Sequence, residues 1–262
     1  MVIGLISLLL IFLSLAGAGR YDRGVSVFSP EGEILQVRYA ERAAARGLTL
    51  VCLAMGRAVV FCAAALPTDS LLDRRATHKL GRVDEATFMG FSGLSGDGTA
   101  LLRLTRQFAV DFRTKFGVGA SASAVAQFIG DLQHASTLKG SDRPYGVHVV
   151  LFGFEDSSPS VFLVTASGQV SRWKAIAIGR GAEEVNAHLE ELLRRTDLTQ
   201  SDLLRESIAK LSKLSSRSGE WAGMDVSWYS TDSATGEVSS GNAYQIRSPD
   251  EVPEELKLLL QM

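Results

Sequence analysis

The stretch LTLVCLAMGRAVVFCAAAL, Leu48 to Leu66, holds two continuous apolar runs separated only by Gly56-Arg57. Short apolar runs broken by a two-residue turn signal read as a hairpin of strands buried on both faces. Something must then cover both sides of that hairpin. Upstream, Ser29-Pro30-Glu31 reads as a helix start, because proline is tolerated in the first turn and an acid there suits the helix dipole. The helix runs on through EILQVRYAERAAAR, with Ile34, Leu35, Val37 and Tyr39 as its apolar stripe and Gly47 just past its end.

Downstream, Leu101, Leu104, Phe108, Phe112 and Phe116 fall at helical spacing, and Gly117 closes that helix. A second helix carries Val125, Phe128, Ile129 and Leu132, capped by Ser121 or Ser123. GVHVVLFGF, SVFLVTA and VSRWKAIAIG follow as three strands joined by SSPS and SGQ. Helices are then expected at 182–194 and 201–216, strands near 223–230 and 242–247, and a last helix from Pro253. Strands come in antiparallel-type groups and helices in pairs, so an alternating parallel β/α fold is disfavoured. The pattern favours a layered α+β sandwich, two sheets face to face with helices outside.

With 46% hydrophobic and 21% charged residues the chain is not a disordered one. Its 27 Lys and Arg against 29 Asp and Glu leave a net charge of −2 and no basic footprint, so no nucleic-acid partner is expected. No linker, repeat or low-complexity tract interrupts residues 20–262, which read as one domain behind an apolar segment, residues 1–19. The apolar run ends near Leu15, short of the roughly 20 residues of a bilayer span, so no membrane partner is expected. It has the apolar centre and the Ala16-Gly17-Ala18 site of a signal peptide but no basic start. A start placed too far upstream, a processed signal and a retained apolar tail all stay open.

No side-chain constellation announces catalysis. SGLSGDG, Ser92 to Gly98, lacks both phosphate-loop spacings and the phosphate-binding lysine, and Gly93-Leu94-Ser95-Gly96-Asp97 lacks the last glycine of a nucleophile elbow. It reads as a strand-to-helix turn, with Ser95 a turn serine and Asp97 near the helix start. His78, His134, His148 and His188 are scattered without metal-ligand spacing, and His148, alternating with valines, reads as structural. Cys52 and Cys62 read as small buried hydrophobes and the three tryptophans need no cofactor, so none is expected.

The segment YDRGVSVFSPEGEILQVRYAERAAARG, Tyr21 to Gly47, resembles the N-terminal signature of proteasome α-type subunits. RPYG at Arg143–Gly146, WKAIAIG at Trp173–Gly179 and GNAYQIRSPDEV near the C-terminus follow in the family's order, so the resemblance covers about 20–250. It implies the four-layer α/β/β/α sandwich of the N-terminal-nucleophile hydrolases. Catalytic β-type relatives begin their first strand with a processed threonine whose own amine is the general base. Here Leu48 follows Gly47, and an ungapped count puts Ala64 at the position of the family's acid. The implied role is a subunit without catalytic residues, in a heptameric outer ring of the 20S core in cytoplasm and nucleus. Its partners would be other α subunits, β subunits and the C-terminal tails of activators.

By the same resemblance, Tyr21, Asp22 and Arg23 are the gating tail, and Pro30 and Tyr39 belong to the cluster that holds the gate open. Lys79 matches the pocket lysine that meets an activator's terminal carboxylate, with Gly47 and Leu94 lining that pocket. The chain departs from the family pattern at Arg38, where a glutamate is usual. It departs again after Asp97, where Gly98-Thr99 stand in place of x-Arg, and at HASTLKGSD before RPYG. Two other readings stand beside this one. A self-processed peptidase of the same fold is opposed by Leu48, and a secreted or membrane-tethered binding protein on this fold would use residues 1–18 for export.

Overall fold

The computed structural model describes residues 21–22, 24–64, 79–139, 143–155, 158–195, 205–210, 213, 224–231, 238–240 and 244–246. In chain order the elements are α1 (Leu35–Ala45), β1 (Leu50–Met55), β2 (Ala58–Ala64), β3 (Leu80–Arg82) and β4 (Thr87–Gly93). They continue as α2 (Ser95–Phe116), α3 (Ala122–Leu138), β5 (Val147–Glu155), β6 (Ser158–Val164), β7 (Val170–Trp173) and β8 (Ala175–Ile178). Last come α4 (Ala182–Arg194), β9 (Met224–Thr231), β10 (Val238–Ser240) and β11 (Tyr244–Ile246). The helix expected from Pro253 and most of the one at 201–216 lie outside the described residues, although 205–210 is helical.

The hairpin forms as the sequence predicts. β1 and β2 are antiparallel, from Leu50 opposite Ala63 to Met55 opposite Ala58, and Gly56 at φ +57° supplies the left-handed residue that a two-residue loop needs. Every residue of β2 is buried. The hairpin lies inside a sheet ordered β10-β9-β2-β1-β8, with β11 also on β9, while β3-β4-β5-β6-β7 makes the second sheet.

The two sheets pack face to face. Leu50, Cys52, Val59 and Phe61 meet Phe88, Val150, Phe152 and Val161, and the Phe88 and Phe152 rings stack at 5.2 Å. Burying each of those large side chains contributes about 1.5–3 kcal/mol. On the outer side of the second sheet, Leu101 and Ala109 of α2 and Val125 and Ile129 of α3 cover Met89, Phe91, Val149 and Leu151. On the outer side of the first, the Asn186 amide of α4 donates to Ala177 O at 2.9 Å and accepts from Ala177 N at 2.7 Å. The result is the four-layer α/β/β/α sandwich.

Four details depart from the sequence reading. VSRWKAIAIG is not one strand: the chain leaves the second sheet after Trp173 and enters the first at Ala175, with Lys174 O accepting from Ala54 N at 2.9 Å. Ser29–Gly32 is a separate turn rather than the start of α1. Gly32 N donates to Ser29 O at 2.9 Å, and Gly32, at φ +79°, cannot continue a right-handed helix. The buried face of α1 is Ala40 and Ala44, and Tyr39 is exposed. β10 has no counterpart among the predicted strands.

The register places Cys52 opposite Phe61 and Cys62 opposite Val51, so the thiols lie on opposite faces and both are free. Burial pushes the Cys62 thiol up to about 12 and Cys52 well above its ordinary value, which leaves both inert. Among the described residues no helix is long and apolar enough to cross a membrane.

Candidate functional site

α1 descends onto the second sheet where the first sheet's β1 begins, and small residues make the approach possible. A Cβ on Gly47 would lie 2.0 Å from Gly93 N and 2.3 Å from Ser92 Oγ. Gly47 is therefore required by a close backbone contact, not by a left-handed helix end. Arg180 N donates to Gly47 O at 2.9 Å, and Thr49 Oγ1 donates to Arg180 O at 2.6 Å. Ser92 Oγ donates to Leu48 O at 2.8 Å, while Gly179, at φ +91°, leaves no room for a side chain beside the same carbonyl.

The head of β1 is thus a sealed passage from helix to strand. Leu48 carries no nucleophilic atom, and its nitrogen is bound in the peptide link to Gly47. On the partner strand, at this same open end of the hairpin, Ala64 N donates to Thr49 O at 2.9 Å, and Ala64 presents only a methyl group.

A few residues away, β4 runs into α2 and gathers the expected pocket residues. Lys79 Nζ donates to Ser95 Oγ at 2.8 Å and lies 5.0 Å from the Phe91 ring centre. Burial of its stem lowers the Lys79 ammonium below the usual lysine range. Leu94 is 45% exposed and forms the N-cap of α2 without any side-chain cap bond. The N–H groups of Ser95, Gly96 and Asp97 have no intrahelical acceptor, as at any helix start. Gly47, against Gly93 and Ser92, lies at the same strand end.

Asp97 does find an arginine, though not at the next-but-one position. Arg143 Nη1 and Nη2 each donate to it at 2.7 Å, and Gly146 N donates at 2.9 Å. The Arg143 bonds, reinforced by the Gly146 N–H, hold the Asp97 carboxyl below its ordinary range despite partial burial. Thr99 donates back to Ser95 O at 2.9 Å. SGLSGDG and RPYG are therefore two halves of one clasp, and Leu94 N donates to Gly146 O at 3.0 Å beside it.

Of the tail residues, Asp22 lies against α1, Tyr21 just before it in the chain is half-buried, and Arg23 lies outside the described residues. Gln36 Nε2 donates to Asp22 O, and the Tyr39 hydroxyl bonds the Asp22 carboxylate, which raises the phenol above its ordinary value. Pro30 is exposed in the turn before α1, and Arg38 pairs with Glu33, so the reversed charge is answered locally.

Sequence reasoning missed one contact of α1. Glu41 meets His148 Nε2 and accepts from Ser167 N at 2.9 Å. Burial raises the Glu41 carboxyl, and the bonds from His148 and Ser167 outweigh it to leave it below its ordinary value. Only the valine alternation around His148 marked that strand, and nothing local points to a partner 107 residues away.

The family described as proteasome subunit matches residues 44–226, and the N-terminal signature of A-type proteasome subunits matches residues 21–43. The proteasome alpha subunit of Saccharolobus islandicus is 31% identical over 73% of this chain and 79% of its own length. That of Aeropyrum pernix is 33% identical over 73% and 72%. The alpha type-7 proteasome subunit of Dictyostelium discoideum is 29% identical over 75% and 78%. A layered sandwich entered through this N-terminal helix, together with these matches, identifies the chain as a member of the proteasome subunit family, on its α-type branch.

Proposed function

We propose that this chain is a non-catalytic subunit of the heptameric outer ring of the 20S proteasome core, where it helps gate substrate entry and docks activators for protein degradation. The observation that carries the reading is the head of β1. α1 continues through Gly47 into Leu48, and Ser92, Gly93, Gly179 and Arg180 close around that link. A terminal nucleophile needs a free amine and a hydroxyl or thiol at this point, and the chain has neither.

The pocket around Lys79 supports the docking part. A compact ammonium beside uncapped helix N–H groups suits a terminal carboxylate, and charge-assisted bonds of that kind are the strong ones. The gating part rests on Asp22, held by Gln36 and Tyr39, with Tyr21, Arg23 and Pro30 completing the tail and its turn. The partners would be neighbouring α subunits, β subunits and activator tails, and the place of action the cytoplasm and nucleus. The comparisons lend no support to an exported binding protein.

Leu48→Thr tests the catalytic part. No peptidase activity is expected from the variant, because the new hydroxyl would still lack a free amine and the acid at position 64. Peptide hydrolysis by this subunit that an N-terminal-threonine inhibitor abolishes would overturn the account of its inertness.

A further inference from the structure

Helix α1 meets the second sheet through two kinds of contact. One is the pair of buried alanines, Ala40 and Ala44, whose small faces pack closely, with the Ser92 hydroxyl also donating to Ala44 O at 3.3 Å at the helix's C-terminal end. The other is Glu41. One carboxylate oxygen meets His148 on β5, and the other accepts from the Ser167 N–H in the turn between β6 and β7 at 2.9 Å. Both side chains are largely withdrawn from solvent, His148 at 17% and Glu41 at 33% exposure. His148 also pairs in register with Ser92, the residue whose hydroxyl closes the head of β1. Further back along the same helix, Tyr39 about half a turn and Gln36 a little over one turn before Glu41, the two hold Asp22.

We propose that Glu41 is a positioning residue for the N-terminal tail, a carboxylate bracket to His148 and Ser167 that fixes the rotation and seating of α1 and so where Gln36 and Tyr39 present Tyr21 and Asp22. The inference rests on the gating reading. It adds to that reading a specific pair of contacts outside the tail and outside the pocket. The alanine methyl groups set no rotation and the Ser92 hydroxyl and Gly47 contacts hold only the C-terminal end of the helix, whereas a carboxylate bonded on both oxygens to two different elements fixes its roll nearer the tail.

The test uses the assembled particle containing the full chain, with short-peptide hydrolysis read with and without an activator ring bearing free C-terminal tails. Glu41→Ala and His148→Ala are each expected to lower the activator-stimulated rate about threefold, with the half-saturating activator concentration and particle yield unchanged, and the double variant to add little, as for residues acting through one contact. Glu41→Gln keeps an acceptor for Ser167 and a hydrogen bond to His148, so it is expected to stay within about twofold of the parent. Should Glu41→Ala fail to assemble, His148→Ala and Glu41→Gln carry the same comparison. Parent-like stimulated rates in His148→Ala, or losses in the two single variants that simply add, would overturn the bracket. Failure of the underlying reading looks different: the chain would then be missing from the particle, or Lys79→Ala would leave docking untouched.

Discussion

Gly47→Ala is expected to destabilise the chain by about 3 kcal/mol, near the upper end of ordinary overpacking. The added methyl carbon would lie 2.0 Å from a backbone nitrogen and 2.8 Å from Gly93 Cα, and neither can turn away as a side chain can. Relief requires α1 to lift from the sheet, which breaks the seal at Leu48 and separates Ala44 from Gly93. Gly96→Ala is the contrast. Nothing lies within 4 Å of a Cβ there, the backbone is helical, and a gain of about 0.4–1 kcal/mol is expected. Urea unfolding of the two variants of the full chain checks both signs. A Gly47→Ala midpoint equal to the parent's would mean that α1 does not sit where described.

Lys79→Ala is expected to weaken docking of an activator's C-terminal tail at least about tenfold, which corresponds to roughly 1.4 kcal/mol. The variant removes the cation that a terminal carboxylate would meet and leaves the uncapped start of α2 alone to bind it. Ring assembly should not change, since the described contacts of the Lys79 ammonium are the exposed Ser95 hydroxyl and the Phe91 ring within the same chain. The measurement is the activator concentration that gives half-maximal peptide hydrolysis. An unchanged value would remove Lys79, and with it Leu94 and Gly47, from any docking pocket.

Much of the fold was legible because local chemistry agreed with it. Gly56-Arg57 announces the hairpin, and Gly117 ends α2 in the left-handed conformation at φ +72°. Ser121 caps α3 by accepting from Ala124 N at 3.2 Å, which decides between the two serines left open. What escaped depends on partners far along the chain. The sheet change at Lys174 is invisible because both halves of VSRWKAIAIG alternate like one strand. α1 begins late because a single glycine turns the chain, although Ser29-Pro30-Glu31 carries every local mark of a helix start. Its buried face is two alanines rather than the larger Ile34, Leu35 and Val37, because only methyl groups fit where glycines bring helix and sheet so close.

The candidate site divides the same way. Leu48 and Ala64 could be read as missing chemistry directly from the letters, once the resemblance said which positions mattered. The Asp97–Arg143 clasp could not, since two ion-pair partners 46 residues apart leave no local trace in sequence. Nor could the Glu41 bracket.

The most direct test of the central claim is native size fractionation of the endogenous protein followed by intact-mass analysis of the fraction that contains it. The account predicts a particle many times larger than the 28.2 kDa chain, with other α-type and β-type subunits in it. A chain that runs alone, or with membranes and without those subunits, would contradict it.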